Sequence, residues 1–171
     1  MYKICFIGLA LSLLLNGCTR HMLKGPELPT ASSWNEVIDT AKTKLPHEGK
    51  LIQQKDGYAF IKVDDRYINE LFPLLQAKGF HKPPYFRRKD APGAHISVIY
   101  KNEQVKLGEV GQVFHFSIKN IATIKTDNGI SYIVLNVDAP ELEKLRTKYG
   151  LGPRLNNHEF HITIAKGNRA K

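Results

Sequence analysis

Cysteine is almost absent from this chain of 171 residues, which contains only Cys5 and Cys18. Both lie at the N-terminal end, so the rest of the chain has no thiol for a disulfide framework, a catalytic nucleophile or a cysteine-based zinc site. The sequence also lacks an HExxH motif and a glycine-rich phosphate loop. These absences exclude thiol enzymes, and they argue against zinc hydrolases and P-loop nucleotide-binding proteins.

No long low-complexity segment interrupts the sequence, and 42% of its residues are hydrophobic against 24% charged. This composition excludes global disorder, and the length predicts one compact domain with short appendages. Lysine and arginine number 25 and aspartate and glutamate 16, which gives a net charge of +9. A basic balance favours phosphate-bearing partners or anionic surfaces, without specifying which of them the protein meets.

The apolar run near the N-terminus is too short to span a membrane. Twelve apolar or small residues, Ile4 to Leu15, follow Lys3, as in the hydrophobic region of a signal peptide. The run continues to Cys18 as Leu-Asn-Gly-Cys, which resembles the lipobox of bacterial lipoproteins. That resemblance implies that Cys18 is lipidated and becomes the new N-terminus. Ordinary secretion and an uncleaved anchor are the alternatives.

We predict three segments from these patterns. Residues 1–17 form a signal peptide, residues 18–31 a proline- and glycine-punctuated tether, and residues 32–171 a single domain. Thr19, not aspartate, follows Cys18, which in Gram-negative lipoproteins implies sorting to the outer membrane. We therefore expect an exported lipoprotein of the cell envelope, on the periplasmic face and, in a Gram-negative cell, at the outer rather than the inner membrane.

Apolar periodicity and turn signals predict mixed α and β structure with an internal duplication. In chain order the predicted elements are a helix from the capping box Ser33–Glu36 to Pro46, strands over 50–54 and 58–63, a helix over 66–78, a strand over 94–100, one or two strands over 113–126, a strand over 130–137, a helix over 141–149 and a strand over 160–165. Residues 58–79 and 132–150 share one order of strand, Val-Asp, helix and glycine, and each is followed by a strand that opens with histidine. This repeat indicates a duplication.

The two strands that open with histidine carry the same short motif. They read His95-Ile-Ser97-Val and His161-Ile-Thr163-Ile. Because side chains alternate faces along a strand, each histidine shares a face with the hydroxyl two residues further on. Burying polar groups on strands this apolar costs free energy unless they are hydrogen-bonded or solvated. Their equivalent positions in a duplication favour a functional site over the alternative, two satisfied core histidines.

A third segment, His115-Phe-Ser117-Ile, fits the same motif string. It opens no strand–helix repeat, so we interpret His115 as an ordinary strand histidine. The string alone is therefore a weak signal, and the duplication is what separates His95 and His161 from His115.

Paired H-x-[ST]-x motifs, one in each half of a duplicated domain, resemble those of the 2H phosphoesterase superfamily, which includes RNA 2′,3′-cyclic phosphodiesterases and 2′-5′ RNA ligase-like proteins. The resemblance covers about residues 51–166. It implies an α+β fold, compact and bilobal, in which two antiparallel sheets face each other across a cleft with helices on the outside. It also implies that His95 and His161 are the catalytic pair. Ser97 and Thr163 would bind the substrate phosphate.

The same chemistry follows from the residue types. Opening a cyclic phosphate needs one group to accept a proton from water and another to give one to the leaving oxygen. Imidazoles, whose ordinary pKa is about 6.5, can do both at neutral pH. Two hydroxyls that donate hydrogen bonds to non-bridging oxygens would stabilise the charge of the transition state. No metal or other cofactor is required.

An aromatic and basic segment lies between the first repeat and His95. It reads Pro-Pro-Tyr85-Phe-Arg87-Arg88-Lys. One interpretation is a lip on the cleft, where Tyr85 stacks on a base while Arg87 and Arg88 contact phosphate. The other interpretation is a solvated basic loop.

These observations predict a metal-independent phosphodiesterase that acts, as a monomer, on a nucleotide or RNA-end phosphodiester, cyclic ones included. One alternative is an envelope lipoprotein that binds a phospholigand without turnover. Another is a structural envelope protein whose basic face meets anionic lipid or polymer. The intact pair of histidines and hydroxyls favours the enzyme.

We expect Cys18→Ala to release the protein from membranes or to stall its processing, because the thiol that would carry the lipid is gone. Fractionation of cells that express the wild-type or variant chain, followed by N-terminal sequencing, measures this. A soluble wild-type protein with a free N-terminus at another residue would contradict the lipid anchor.

Overall fold

The computed structural model describes residues 26–86 and 91–167. Cys18, Arg87 and Arg88, for which the sequence predicts a lipid anchor and phosphate contacts, lie outside these described residues. Within the two ranges, no helix has the length and apolar character that crossing a membrane needs.

The described chain alternates short strands with helices. In chain order the elements are α1 (Ala31–Lys44), β1 (Glu48–Gln53), β2 (Ala59–Lys62), α2 (Arg66–Asn69), α3 (Leu71–Leu74), β3 (Phe80–His81), β4 (His95–Ile99), β5 (Val113–His115), β6 (Ser117–Lys125), β7 (Ser131–Asp138), α4 (Pro140–Lys148) and β8 (His161–Gly167). Short 3₁₀ helices over Lys101–Glu103 and Leu155–Asn157 follow β4 and α4. The predicted mixture of α and β structure is confirmed.

The strands form one sheet in the order β5-β1-β2-β4-β8-β7-β6, with β3 paired to β8 at its side. Its pairings are antiparallel. At the centre, β4 and β8 are joined by the pair Ile96↔Ile162. The order outward from this junction is the same on both sides: β2 then β1 next to β4, and β7 then β6 next to β8. The two strand–helix–strand repeats of the sequence are the units β2 to β4 and β7 to β8.

The expectation of two separate, facing sheets differs from what the described chain forms. Both halves contribute to one continuous sheet because β4 and β8 pair across the junction. Without that pairing, β4 would end the first half as an edge strand with unpaired N–H and C=O groups. The short strand β3, from the first half, pairs with a further part of β8 through Phe80↔Gly167 and His81↔Lys166.

Two helix predictions need correction. The helix expected over 66–78 is two short helices, α2 and α3. Pro73 has no N–H to donate to the Asn69 carbonyl, and its ring crowds that carbonyl, so one continuous helix cannot form. The capping box expected at Ser33 is also wrong, because the N-cap of α1 is Thr30, whose hydroxyl accepts a hydrogen bond from the Ser33 N–H at 3.2 Å.

The last part of the predicted tether, residues 26–30, lies against the domain. The Glu27 N–H donates to the Lys78 carbonyl at 2.9 Å. The indole N–H of Trp34 donates to the Pro29 carbonyl at 2.8 Å. This described part of the tether is therefore attached to the domain surface.

One face of the central strands builds the core. Ile96 and Val98 on β4, and Ile162 and Ile164 on β8, have no exposed surface. The helices pack on this side, with α2 and α3 against β8 and α4 against β4. Burying each such side chain stabilises the fold by about 1.5–3 kcal/mol. His95 and Ser97 on β4, and His161 and Thr163 on β8, alternate with them on the opposite face and are only partly buried.

Among the described residues, Arg146 on α4 is the only charged side chain in the buried core, with 2% of its surface exposed. Its guanidinium donates to the carbonyls of Val98 (2.6 Å) and Gly152 (2.8 Å) and to both carboxylate oxygens of Glu103 (3.1 and 2.7 Å). Burial by itself would raise the pKa of Glu103, but the hydrogen bonds from Arg146 and from the Tyr100 N–H hold it below its ordinary value. The bridge therefore ties α4 to the end of β4.

We expect Arg146→Met to destabilise the fold by about 3–5 kcal/mol, because it leaves the Glu103 carboxylate largely buried without its partner. Arg154→Met is a matched control. Arg154 pairs with Glu143 at 3.1 Å, but 45% of its side chain is exposed, so its loss should cost no more than about 1 kcal/mol. Urea unfolding followed by circular dichroism measures both variants. Equal losses would contradict the role given to Arg146.

Candidate active site

A cavity of about 380 Å³ lies over the junction of β4 and β8. Its lining consists of Tyr85, His95, Ser97, Tyr100, Ile124, Thr126, Tyr132, Val134, Asn156, His158, His161 and Thr163. The structure thus brings together all four motif residues and Tyr85. A larger cavity, of about 800 Å³, runs beside β1 and β2, but its described lining includes no histidine. The smaller cavity is therefore the candidate site.

Both motif histidines are held in the same way. The Nδ1 atom of His95 lies 2.7 Å from the Gly93 carbonyl oxygen, and that of His161 lies 2.9 Å from the Glu159 carbonyl oxygen. A carbonyl oxygen can only accept, so Nδ1 carries the proton in each ring. In the neutral imidazole this leaves the lone pair on Nε2, the nitrogen that can receive or return a proton.

Each motif hydroxyl has a tyrosine beside it. The Ser97 and Tyr58 hydroxyl oxygens are 2.7 Å apart, and the Tyr85 hydroxyl lies near enough to Thr163 for its pKa to be affected. Burial raises the pKa of Tyr58 to about 12, against a smaller opposing effect of the bond to Ser97. Burial also raises the pKa of Tyr85, with Thr163 acting in the opposite direction. Both phenols therefore keep their protons at neutral pH.

The family model for the Swiss Army Knife 2H phosphoesterase domain matches residues 59–170, a range that contains both histidine motifs. The chain belongs to the 2H phosphoesterase family. The family resemblance drawn from the paired motifs is thus confirmed. Searches of curated proteins and of solved structures gave no match.

In this 2H phosphoesterase, aromatic rings surround His95. The ring centroids of Tyr85, Phe60 and Tyr58 lie 4.7, 5.5 and 6.4 Å from that of His95, each in an edge-to-face arrangement. Phe60 and Tyr58 come from β2 and the turn before it, and Tyr85 from the segment after β3. The aromatic rings exclude water from much of the imidazole surface.

This enclosure sets the protonation of His95. Burial lowers its pKa below the ordinary histidine value, the hydrogen bond to Gly93 opposes this, and the nearby charges of Lys62 and His161 lower it further. Desolvation disfavours the charged imidazolium, and like charges disfavour it again. His95 is therefore neutral at neutral pH and can accept a proton.

The turn that carries His95 is held by Asp65, a residue whose role the sequence did not reveal. Asp65 precedes α2, but its carboxylate makes no cap hydrogen bond to that helix. The carboxylate oxygen Oδ1 accepts from the Ala94 N–H at 2.8 Å and pairs with the Lys62 ammonium. Gly93 has a φ of +63°, and a Cβ there would lie 2.6 Å from Lys62 Nζ. Glycine is thus required where the carbonyl for His95 is presented.

His115, the third histidine with the motif string, lies away from the cavity. It ends β5 at the edge of the sheet, with 64% of its side chain exposed. Its ring nitrogens are 3.5 Å from a Glu48 oxygen and 3.6 Å from a Glu141 oxygen. Histidine, cysteine and carboxylate side chains form no metal-ligand group of three or more within residues 26–86 and 91–167.

Proposed function

We propose that this protein is a metal-independent phosphodiesterase that acts on a nucleotide or RNA-end phosphodiester, cyclic ones included, with His95 and His161 as its proton-transfer groups. Membership of the 2H phosphoesterase family supports the reaction class. The observation that carries the proposal is the shared arrangement of the two imidazoles. Each has Nδ1 bonded to a backbone carbonyl, which leaves the lone pair on Nε2, within a cavity that also holds the two motif hydroxyls.

The groups present meet each need of phosphodiester hydrolysis. His95, kept neutral by its surroundings, takes a proton from the attacking water as the new P–O bond forms. His161, as imidazolium, gives a proton to the ribose oxygen as the old P–O bond breaks. The Ser97 and Thr163 hydroxyls donate to the non-bridging oxygens, where negative charge increases in the transition state. These side chains account for both proton transfers and for charge stabilisation, so the scheme needs no metal.

The shape and lining of the cavity suit a nucleotide. Its volume of about 380 Å³ is within the range of small-molecule sites. The rings of Tyr85, Tyr100 and Tyr132 line it and can stack on a nucleobase. The net charge of +9 favours approach of an anionic substrate. From the N-terminal sequence we further propose that this activity belongs to a lipid-anchored protein of the cell envelope.

We expect His95→Ala and His161→Ala each to reduce turnover by about 10²- to 10⁴-fold, because each variant lacks one of the two proton transfers. The double variant should be little slower than either single one, since the two groups act as a unit. The assay incubates soluble residues 19–171 with 2′,3′-cyclic nucleotides, 2′-5′ dinucleotides and short RNAs in excess EDTA.

His115→Ala is the matched control, because it removes an exposed histidine from the same kind of motif outside the cavity. It should keep nearly full activity. A wild-type protein that binds these ligands without turnover would favour the non-catalytic lipoprotein. Loss of all activity in EDTA, with recovery on adding a divalent metal, would contradict the mechanism.

We expect the pH profile of kcat/KM to be bell-shaped, with its acidic limb below the ordinary histidine pKa of about 6.5. His95 must be unprotonated to act as base, and its lowered pKa keeps it so until the pH falls further. Lys62→Gln removes a positive charge beside His95, which stabilises the imidazolium and raises its pKa. The acidic limb should then move to higher pH. A limb that stays in place, or moves lower, would show that His95 is not the base.

A further inference from the structure

The Ser97 hydroxyl lines the cavity and is bonded, at 2.7 Å, to the hydroxyl of Tyr58, a residue that is not part of the cavity lining. We infer that Tyr58 is a positioning residue that orients the Ser97 hydroxyl proton toward the substrate phosphate. This inference rests on the proposed function, since it concerns the phosphate contacts of the same site. It assigns Tyr58 no contact with the reacting atoms.

The backbone and ring of Tyr58 are both restrained. Its carbonyl accepts from the Gln54 N–H at 2.8 Å, and its N–H donates to the Asp56 carboxylate at 3.2 Å, across the β1–β2 turn. Its ring stacks on Tyr100, at 6.5 Å between centroids and 14° between planes, and lies 5.5 Å from the Phe60 ring. The hydroxyl therefore has a defined position next to Ser97.

The hydrogen bonds of a bound phosphodiester fix the direction of this pair. Ionised phosphate oxygens only accept, and a serine hydroxyl has one proton to donate. When Ser97 gives that proton to phosphate, its bond with Tyr58 must be donated by Tyr58. Burial keeps Tyr58 protonated and able to do so. The order is then Tyr58 to Ser97 to phosphate, in which each bond polarises the next.

The side chains of Ser97 and Thr163 differ in their freedom to rotate about χ1. Thr163 is β-branched, so its χ1 is stiff within strand β8. Ser97 has no second group on Cβ, and its hydroxyl can occupy each of three staggered positions. The bond from Tyr58 selects one of them. The loss of its tyrosine hydroxyl should therefore affect the orientation of Ser97 more than that of Thr163.

The test is Tyr58→Phe, which keeps the ring and its packing and removes only the hydroxyl. We expect kcat on the best cyclic nucleotide of the panel to fall about 2- to 10-fold, the range for one hydrogen bond, with KM nearly unchanged. In a Ser97→Ala background the same change should have no further effect, because the group that it orients is gone. Additive losses would overturn the inference, since they would show that Tyr58 acts independently of Ser97.

Tyr149→Phe is the matched control. Its hydroxyl donates to Glu109 at 2.7 Å and accepts from the Gly108 N–H at 2.8 Å, away from the candidate site. It should leave kcat unchanged. A Tyr58→Phe variant as fast as the wild type would overturn the inference while leaving the proposed function in place.

If the wild-type protein shows no turnover, the proposed function has failed and the inference about Tyr58 is tested by binding instead. Calorimetry then measures the affinity of the wild type and the variants for a nucleoside 2′-monophosphate. Weaker binding in Tyr58→Phe, with no further loss when Ser97→Ala is added, supports the orienting role in a binding protein. Equal affinity of Tyr58→Phe and wild type, or no binding by the wild type, overturns it.

Discussion

The antiparallel pairing of β4 with β8 is the constraint on which the site depends. It places the two motif strands side by side at the centre of the sheet through the single pair Ile96↔Ile162. Because side chains alternate along a strand, burying these two isoleucines in the core turns both motif histidines to the other face. The packing that buries these isoleucines therefore also places the two histidines in the candidate site. A register shift of one residue in either strand would put its histidine in the core.

The two halves repeat the same order of strands but give their histidines unequal surroundings. Both imidazoles bond a carbonyl two residues earlier through Nδ1. Of the two, only His95 has aromatic rings of the described residues packed against it, and burial lowers its pKa. The aromatic rings around His95 are also restrained from the core. Arg146 donates to Glu103, and Glu103 accepts from the Tyr100 N–H at 2.8 Å. The Tyr100 ring in turn stacks on Tyr58. The Arg146–Glu103 ion pair thus helps to position the rings beside His95 and also stabilises the fold.

Local patterns predicted every described strand except the two-residue β3, together with the duplication and the placing of each histidine with a hydroxyl, because alternation and turn signals are properties of short segments. Features decided by distant partners were not predictable in this way. The two halves join into one sheet because β4 and β8 would otherwise be edge strands with unpaired backbone N–H and C=O groups. Which strands are left as edges is decided by the whole fold. The contacts of Asp65 with Ala94 and of Tyr58 with Ser97 cross 29 and 39 residues of chain. Pro73 is the exception, since its effect on the predicted helix was readable from the sequence.

The central claim is that two imidazoles, each with its lone pair on Nε2, act on one phosphate. Long-range ¹H–¹⁵N NMR of the histidine rings, with a nucleoside 2′-monophosphate added to the wild-type protein, tests it most directly. At a pH where the rings are neutral, the account predicts Nδ1–H tautomers for His95 and His161. Both Nε2 signals should then shift along one binding curve while His115 does not respond. An Nε2–H tautomer at either residue, or a response from only one of them, would contradict the account.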